Sequence, residues 1–151
     1  MNKTYLLQTC EELKGFSDKS SEEYDTKSDK LLSEINAIML KRPDIKDLVG
    51  EENLLMMQDN HANHIRFISS ILKEFNSEVL IETILWVFRA YRSHGFSTNY
   101  WAAQLNTWIL VLKNQLSTES CLEILPLYNW MQINIPIFVK LSDDKLKSPN
   151  N

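Results

Sequence analysis

Residues that break helices and form tight turns are scarce in this chain, which has three glycines and four prolines among 151 residues. A many-stranded sheet needs such residues at most of its turns, and a phosphate-binding loop needs a glycine cluster. The sequence therefore predicts long helices and argues against nucleotide hydrolysis. Its length fits one domain, which we expect over residues 1–142, followed by a flexible polar tail over 143–151.

Apolar residues recur three and four positions apart along most of the chain, which is the period of an amphipathic helix. Helices are predicted at residues 4–16, 24–42, 51–57, 59–75, 78–94, 98–116 and 118–141. Side chains suited to N-caps occur at Asp59, Ser77, Ser97 and Ser117, and Gly95 suits a C-terminal cap. Pro126 and Pro136 are expected to bend the last helix. The predicted fold class is all-α.

The two predicted helices at 98–116 and 118–141 are apolar nearly all round. A helix with two apolar stripes is either central in its domain or shared with a neighbour. We expect a homodimer that packs through these two helices, while an interior position for both remains the alternative.

Composition excludes several classes of function. The net charge of −4 argues against nucleic-acid binding, which needs a basic surface. The two cysteines lie far apart, at Cys10 and Cys121, and the N-terminus lacks a secretory signal, so we expect a cytoplasmic protein without a membrane span. Because no catalytic triad, paired catalytic carboxylates or cofactor motif is visible, we do not expect an enzyme.

Histidine and arginine are concentrated in one segment. All three histidines and three of the four arginines lie within residues 61–94, where Lys73 is the only lysine. Arginine can grip a carboxylate with two parallel hydrogen bonds, which lysine cannot do. The clustering therefore predicts a binding site for an anion.

Helical projection places part of this cluster on apolar faces. His61 and His64 project from the apolar face of helix 59–75, whereas Arg66 points away from it. In helix 78–94, Arg92 lies among apolar residues and Arg89 lies on the polar strip. A buried guanidinium needs an anion, supplied either by a ligand or by an internal partner such as Glu74, Glu78 or Asp59. The spacing of the two histidines lacks further ligands for a metal ion, so no metal is expected.

The segments DNHANHIRF (59–67) and WVFRAYRSHGFSTNYW (86–101) carry a family resemblance. With the apolar helices that follow, they resemble the non-haem globin-fold sensor domains of Bacillus sporulation histidine kinases, and especially their free-standing plasmid-encoded relatives that inhibit sporulation. The resemblance covers roughly residues 5–142. It implies a dimeric globin-like fold without haem, a fatty acid in an apolar tunnel, and a chloride ion near the carboxylate.

By this resemblance the ligand-binding residues are expected among the two motifs. Arg92 is the first choice for the carboxylate, with Arg89 and Arg66 as alternatives, and Tyr91 is a further ligand-binding candidate. His61 and His64 are proposed on geometry, and protonation of either beside an anion would make binding depend on pH between roughly 5.5 and 8.

A chain that ends after the sensor domain has no room for kinase domains, so we expect inhibition of sporulation in one of two ways. The protein either withholds the signal from a sensor histidine kinase or forms mixed dimers with it. Two other functions stay open: a haem-binding globin sensor, and an interaction module that binds no ligand and keeps Arg92 in an internal ion pair.

Overall fold

The computed structural model describes residues 2–13 and 15–147, with side chains as far as Asp143. Nine α-helices and no strand occur in these residues, which confirms the all-α prediction. The helices are α1 (Lys3–Cys10), α2 (Asp18–Thr26), α3 (Ser28–Leu40), α4 (Ile45–Val49), α5 (Leu54–Lys73), α6 (Ser77–Ser93), α7 (Asn99–Gln115), α8 (Thr118–Ile133) and α9 (Ile135–Lys147). A 3₁₀ turn at Glu11–Leu13 follows α1.

Several predicted boundaries are wrong for local reasons. The predicted helices 51–57 and 59–75 form the single helix α5, in which Asp59 is an exposed interior residue and caps nothing. The predicted helix 24–42 is divided at Lys27 into α2 and α3. Helix α2 begins earlier than predicted, because the Ser17 side chain accepts the Ser20 N–H. The short helix α4 had not been predicted.

The predicted helix 118–141 is interrupted just ahead of Pro136. Proline has no N–H to continue the hydrogen-bonded ladder, and Asn134 closes α8 with its side-chain amide 2.8 Å from the Trp130 carbonyl oxygen. Pro126 lies inside the continuous helix α8. Helix α9 then runs through Lys147, so the tail predicted from residue 143 is wrong for 143–147, and 148–151 lie outside the described residues.

Two other caps, Ser117 and Gly95, were predicted correctly, whereas the N-cap of α7 is Thr98 and not Ser97. The Ser117 side chain accepts the Ser120 N–H at the start of α8. Gly95 follows the C-cap of α6 with φ of +98°, a backbone conformation that favours glycine. The cap of α6, however, is Asn76 and not Ser77.

The core is centred on α7, which packs against α3, α4 and α8. Trp108 on this helix is fully buried. This interior position accounts for most of the apolar surface that had suggested a dimer through α7 and α8. Leu110, Leu122 and Ile133 on these two helices remain at least half exposed.

Helices α2 and α8 are held together by a reciprocal pair of carboxylates. Glu23 of α2 accepts hydrogen bonds from the Ser117 N–H and hydroxyl (2.7 Å each) at the start of α8. Glu123 of α8 accepts from the Ser17 N–H (2.7 Å) and hydroxyl (2.9 Å) at the start of α2. A carboxylate at a helix N-terminus satisfies backbone donors and complements the helix dipole, so each helix caps the other.

We expect Glu23→Gln to lower the free energy of unfolding by about 1.5–3 kcal/mol, the usual contribution of hydrogen bonds to a charged group. Burial acts to raise the pKa of Glu23, but hydrogen bonds from Ser120, Lys27 and Ser117 outweigh burial and lower the pKa to about 2. The stabilisation is therefore present above pH 4.5 and is lost as the pH falls towards 2. Urea denaturation at pH 7 measures the change, with the exposed neighbour Glu22→Gln as the control. Equal stability of the two variants would contradict the capping role.

Candidate functional site

A cavity of about 170 Å³ lies between α5, α6 and α7, with one residue each from α8 and α9. Its wall consists of Asn60, Asn63, His64, Phe67, Ile68, Thr83, Ile84, Trp86, Val87, Phe88, Tyr91, Trp101, Gln104, Leu105, Met131 and Phe138. This set contains no lysine, arginine, aspartate or glutamate. The wall is thus mainly apolar and aromatic, as is usual for sites that bind small molecules.

The cavity opens to solvent between α5 and α6. Of its wall residues, Asn63 and Trp86 are exposed, and His64, Phe67, Thr83 and Val87 are half-buried. We call Asn63, Phe67, Thr83, Trp86 and Val87 the mouth. Trp86 is the most conspicuous, because 60% of its surface is exposed.

The interior of the wall is built from interlocking rings. Phe88 of α6 stacks on Trp101 of α7 with ring centroids 4.2 Å apart, and Phe138 of α9 meets Phe88 edge-on at 5.5 Å. Aromatic pairs of this kind add packing energy beyond the area they bury. They tie α6, α7 and α9 together behind the cavity.

A chain of three polar side chains, two fully buried tyrosines and a half-buried histidine, reaches the cavity from behind. The Tyr24 and Tyr128 hydroxyls lie 2.8 Å apart, and the Tyr128 hydroxyl lies 2.7 Å from Nε2 of His64. Trp108 stacks on the His64 ring with centroids 4.7 Å apart. These contacts hold the imidazole of His64, a wall residue, in one orientation.

A second polar cluster surrounds Asn60, which is only 3% exposed. Its Oδ1 accepts hydrogen bonds from the Tyr100 hydroxyl (2.8 Å) and from Nε2 of Gln104 (2.7 Å). Asn60 precedes His64 by one helical turn, so the two side chains share a face of α5. We call Asn60 and His64 the floor of the cavity.

His61 is fully buried and His64 is half-buried on the inward face of α5, as their projection indicated. His64 lines the cavity, whereas His61 is fully buried outside the wall, with Nδ1 2.6 Å from Oδ1 of Asn36. Nε2 of His61 has no hydrogen-bond partner among the described residues. Burial lowers the pKa of each histidine to about 3, and in His64 the proximity of His61 adds to this effect. Without a bound anion both histidines are therefore neutral near pH 7, and the predicted pH dependence of binding stays a prediction.

Arg92 has internal partners in the structure. Its Nη1 donates to the Val139 carbonyl (3.2 Å) and to the Ser142 hydroxyl (2.7 Å), and its Nη2 pairs with Asp143. The side chain is 15% exposed and does not line the cavity. The guanidinium is thus largely buried, as predicted, but its anion is Asp143 and none of the three acids named from the sequence.

The remaining candidates divide into two groups. Tyr91 is buried in the cavity wall, and Arg66 is exposed and hydrogen-bonded to Asn63 at the mouth. Arg89 is half-buried on α6 and lies outside the wall. The structure thus places His64 and Tyr91 in the cavity wall and Arg66 beside Asn63 at the mouth, and it leaves Arg89, Arg92 and His61 outside the wall.

Sequence reasoning missed several polar residues of the site. Asn60 lies within the 59–67 motif and shares its helical face with His64, which was a usable signal. Tyr24 and Tyr128 are 104 residues apart, and nothing local in the sequence joins them.

Among the side chains that the structure describes, no three histidine, cysteine, aspartate or glutamate residues come together as a metal site. Within residues 2–13 and 15–147, none of the helices combines the length and hydropathy needed to cross a bilayer. Comparisons of the chain with family models, curated proteins and solved structures found no match. The resemblance to sporulation sensor domains therefore stays a prediction.

We expect the protein to lose stability as the pH falls from about 6.5 towards 3. In this range the unfolded chain protonates both histidines and the folded chain does not, so each one costs about 1.4 kcal/mol per pH unit. Denaturation at several pH values between 6.5 and 5 measures how the free energy of unfolding depends on pH. His64→Gln should reduce this dependence by about 1.4 kcal/mol per pH unit, which corresponds to one proton. Exposed His94→Gln is the control. An unchanged slope in the His64 variant would show that His64 is charged in the folded state.

Proposed function

We propose that this chain is a globin-like sensor domain that binds a fatty acid in the cavity between α5, α6 and α7. The observation that carries the proposal is an apolar cavity, with no charged residue in its wall, whose mouth bears an arginine held by Asn63. Each methylene of an acyl chain gains about 0.8 kcal/mol on burial. The cavity would thus supply affinity and the mouth would meet the carboxylate.

Arg66 is the arginine that the geometry favours for the carboxylate. It hydrogen-bonds to a mouth residue, and its exposure leaves the guanidinium available. Arg92 already has an anion in Asp143. We therefore assign the carboxylate to Arg66, which the sequence analysis had ranked as an alternative.

The size of the cavity limits what it can enclose. Its 170 Å³ is close to the roughly 150 Å³ cavity that accommodates benzene in another protein. An acyl chain whose carboxylate stays at the mouth must therefore be short, and a long chain would not fit behind it. The same volume gives no support to the haem alternative, since it falls below the roughly 300–1,000 Å³ of most sites for larger ligands.

In the cell, we propose that the domain lowers sporulation signalling by withholding the fatty acid from a sensor histidine kinase, an assignment that rests on the family resemblance. A homodimer through α7 and α8 and a chloride ion near the carboxylate belong to the same proposal. Excess fatty acid would restore kinase activity if the domain sequesters the signal. Mixed dimers with the kinase would persist under the same excess.

The internal partners of Arg92 favour a second candidate, a module that binds no ligand. With Asp143 and Ser142 already satisfying the guanidinium, nothing at Arg92 requires an acidic ligand. Mass spectrometry of an organic extract of the purified protein separates the two candidates. A stoichiometric carboxylic acid supports the sensor, and its absence together with failure to bind added decanoic acid supports the module.

We expect Thr83→Trp, which fills the mouth, to weaken decanoic acid binding at least about tenfold, the equivalent of excluding two methylenes. Calorimetric titration measures the affinity, and circular dichroism checks the helix content. Val79→Trp is the matched control, because Val79 is about half exposed on the same helix, one turn earlier, and outside the wall. Equal affinities of the two variants would exclude this cavity.

We expect Arg66→Gln to weaken decanoic acid binding about two- to fivefold, as befits an exposed ion pair, and to leave decanol binding unchanged. The effect on the acid should shrink at high salt. Arg89→Gln, which removes an arginine outside the wall, is the control. A larger loss with Arg89→Gln would move the carboxylate to that residue.

A further inference from the structure

The buried tyrosines determine which nitrogen of His64 carries the proton. Tyr24 is fully buried, and the Tyr128 hydroxyl is the sole partner of its hydroxyl among the described residues. A buried hydroxyl hydrogen without an acceptor is costly, so Tyr24 donates to Tyr128. Tyr128 must then donate to Nε2 of His64. Nε2 is therefore the acceptor, and neutral His64 carries its hydrogen on Nδ1.

This arrangement gives the floor of the cavity two hydrogen-bond donors. No described residue accepts from Nδ1 of His64, which is a wall residue. Oδ1 of Asn60 is occupied by Tyr100 and Gln104, so its Nδ2 is a second donor without an acceptor among the described residues. The two residues lie one turn apart on the face of α5 that lines the cavity.

An acceptor that enters the cavity meets no positive charge there. The wall has no arginine or lysine, and burial lowers the pKa of His64 to about 3, which keeps the imidazole neutral. A carboxylate at the floor would be a buried charge without a counter-ion, which is far more costly than a neutral oxygen. The two donors therefore suit an uncharged acceptor.

We propose that the floor residues Asn60 and His64 bind an uncharged carbonyl or hydroxyl oxygen in the buried part of the ligand. The ligand is then an oxygen-substituted apolar acid, with its carboxylate at the mouth and its neutral oxygen at the floor. A simple saturated fatty acid would leave both donors without partners. This inference rests on the proposed function, because both place the ligand in the same cavity.

Two probes of equal shape test the floor directly. Acetophenone carries a carbonyl oxygen where α-methylstyrene carries a methylene group, and both have the size of the cavity. In the full chain we expect His64→Phe to reduce the preference for acetophenone over α-methylstyrene about two- to tenfold, the effect of one lost hydrogen bond. The ratio of the two affinities is compared between the variant and the unaltered protein, so the different hydration of the two probes cancels. His94→Phe should leave the preference unchanged.

Nitrogen NMR of His64 in the unaltered protein supplies a readout that needs no variant. We expect the shift of a protonated nitrogen at Nδ1 and of an unprotonated acceptor at Nε2. In Tyr128→Phe, the Nε2 shift should lose the change that the hydrogen bond from Tyr128 causes. If Tyr128 only packed in the core, its replacement would leave the Nε2 shift unchanged. A proton on Nε2 in the unaltered protein would overturn the inference, whether or not the variants fold.

The outcomes also separate this inference from the proposed function. Decanoic acid binding that is lost in Thr83→Trp, together with an unchanged acetophenone preference in His64→Phe, would leave the cavity site standing and remove the role of the floor. Failure of both decanoic acid and acetophenone to bind would remove both.

Discussion

The contact on which the site depends is the mutual capping of α2 and α8. Each helix begins at a serine and carries a glutamate six residues later, and each glutamate accepts the N-terminal hydrogen bonds of the other helix. Such a pair holds the two helices against each other. The same two helices also contribute the Tyr24 and Tyr128 hydroxyls, which lie 2.8 Å apart in the core, where neither would be tolerated alone.

The tyrosine pair in turn fixes the orientation of the polar side chain of His64 at the site. The tyrosine pair holds Nε2 of His64 from behind, and Trp108 holds the ring from its face. Because these contacts belong to the folded core, the floor is ordered before any ligand arrives. Preorganised donors cost little on binding, and we propose that they select ligands by the position of an oxygen more than by total apolar area. In the proposed function, the apolar wall favours burial of the ligand and Arg66, beside the mouth, favours an acid.

Sequence reasoning succeeded where the cause is local. Ser117 and Gly95 act as caps because capping depends on a few neighbouring residues, and His64 faces inward because helical periodicity sets its direction. It failed where the cause lies across the fold. Nothing near Lys27 in the sequence marks the division between α2 and α3, and the reciprocal capping of α2 joins residues about a hundred positions apart. The contact between Tyr24 and Tyr128, which are 104 residues apart, likewise has no local signal in the sequence.

Arg92 shows why a correct prediction of burial led to the wrong role. The argument that a buried guanidinium needs an anion holds, but it does not say where the anion comes from. Helix α9 continues past residue 142 as far as Lys147, and it brings Ser142 and Asp143 to the C-terminal end of α6. Once an internal carboxylate is available, Arg92 fastens α9 to α6 and needs no further anion. Arg66, which is exposed and hydrogen-bonded to Asn63 beside the mouth, is therefore the arginine that we propose for ligand binding.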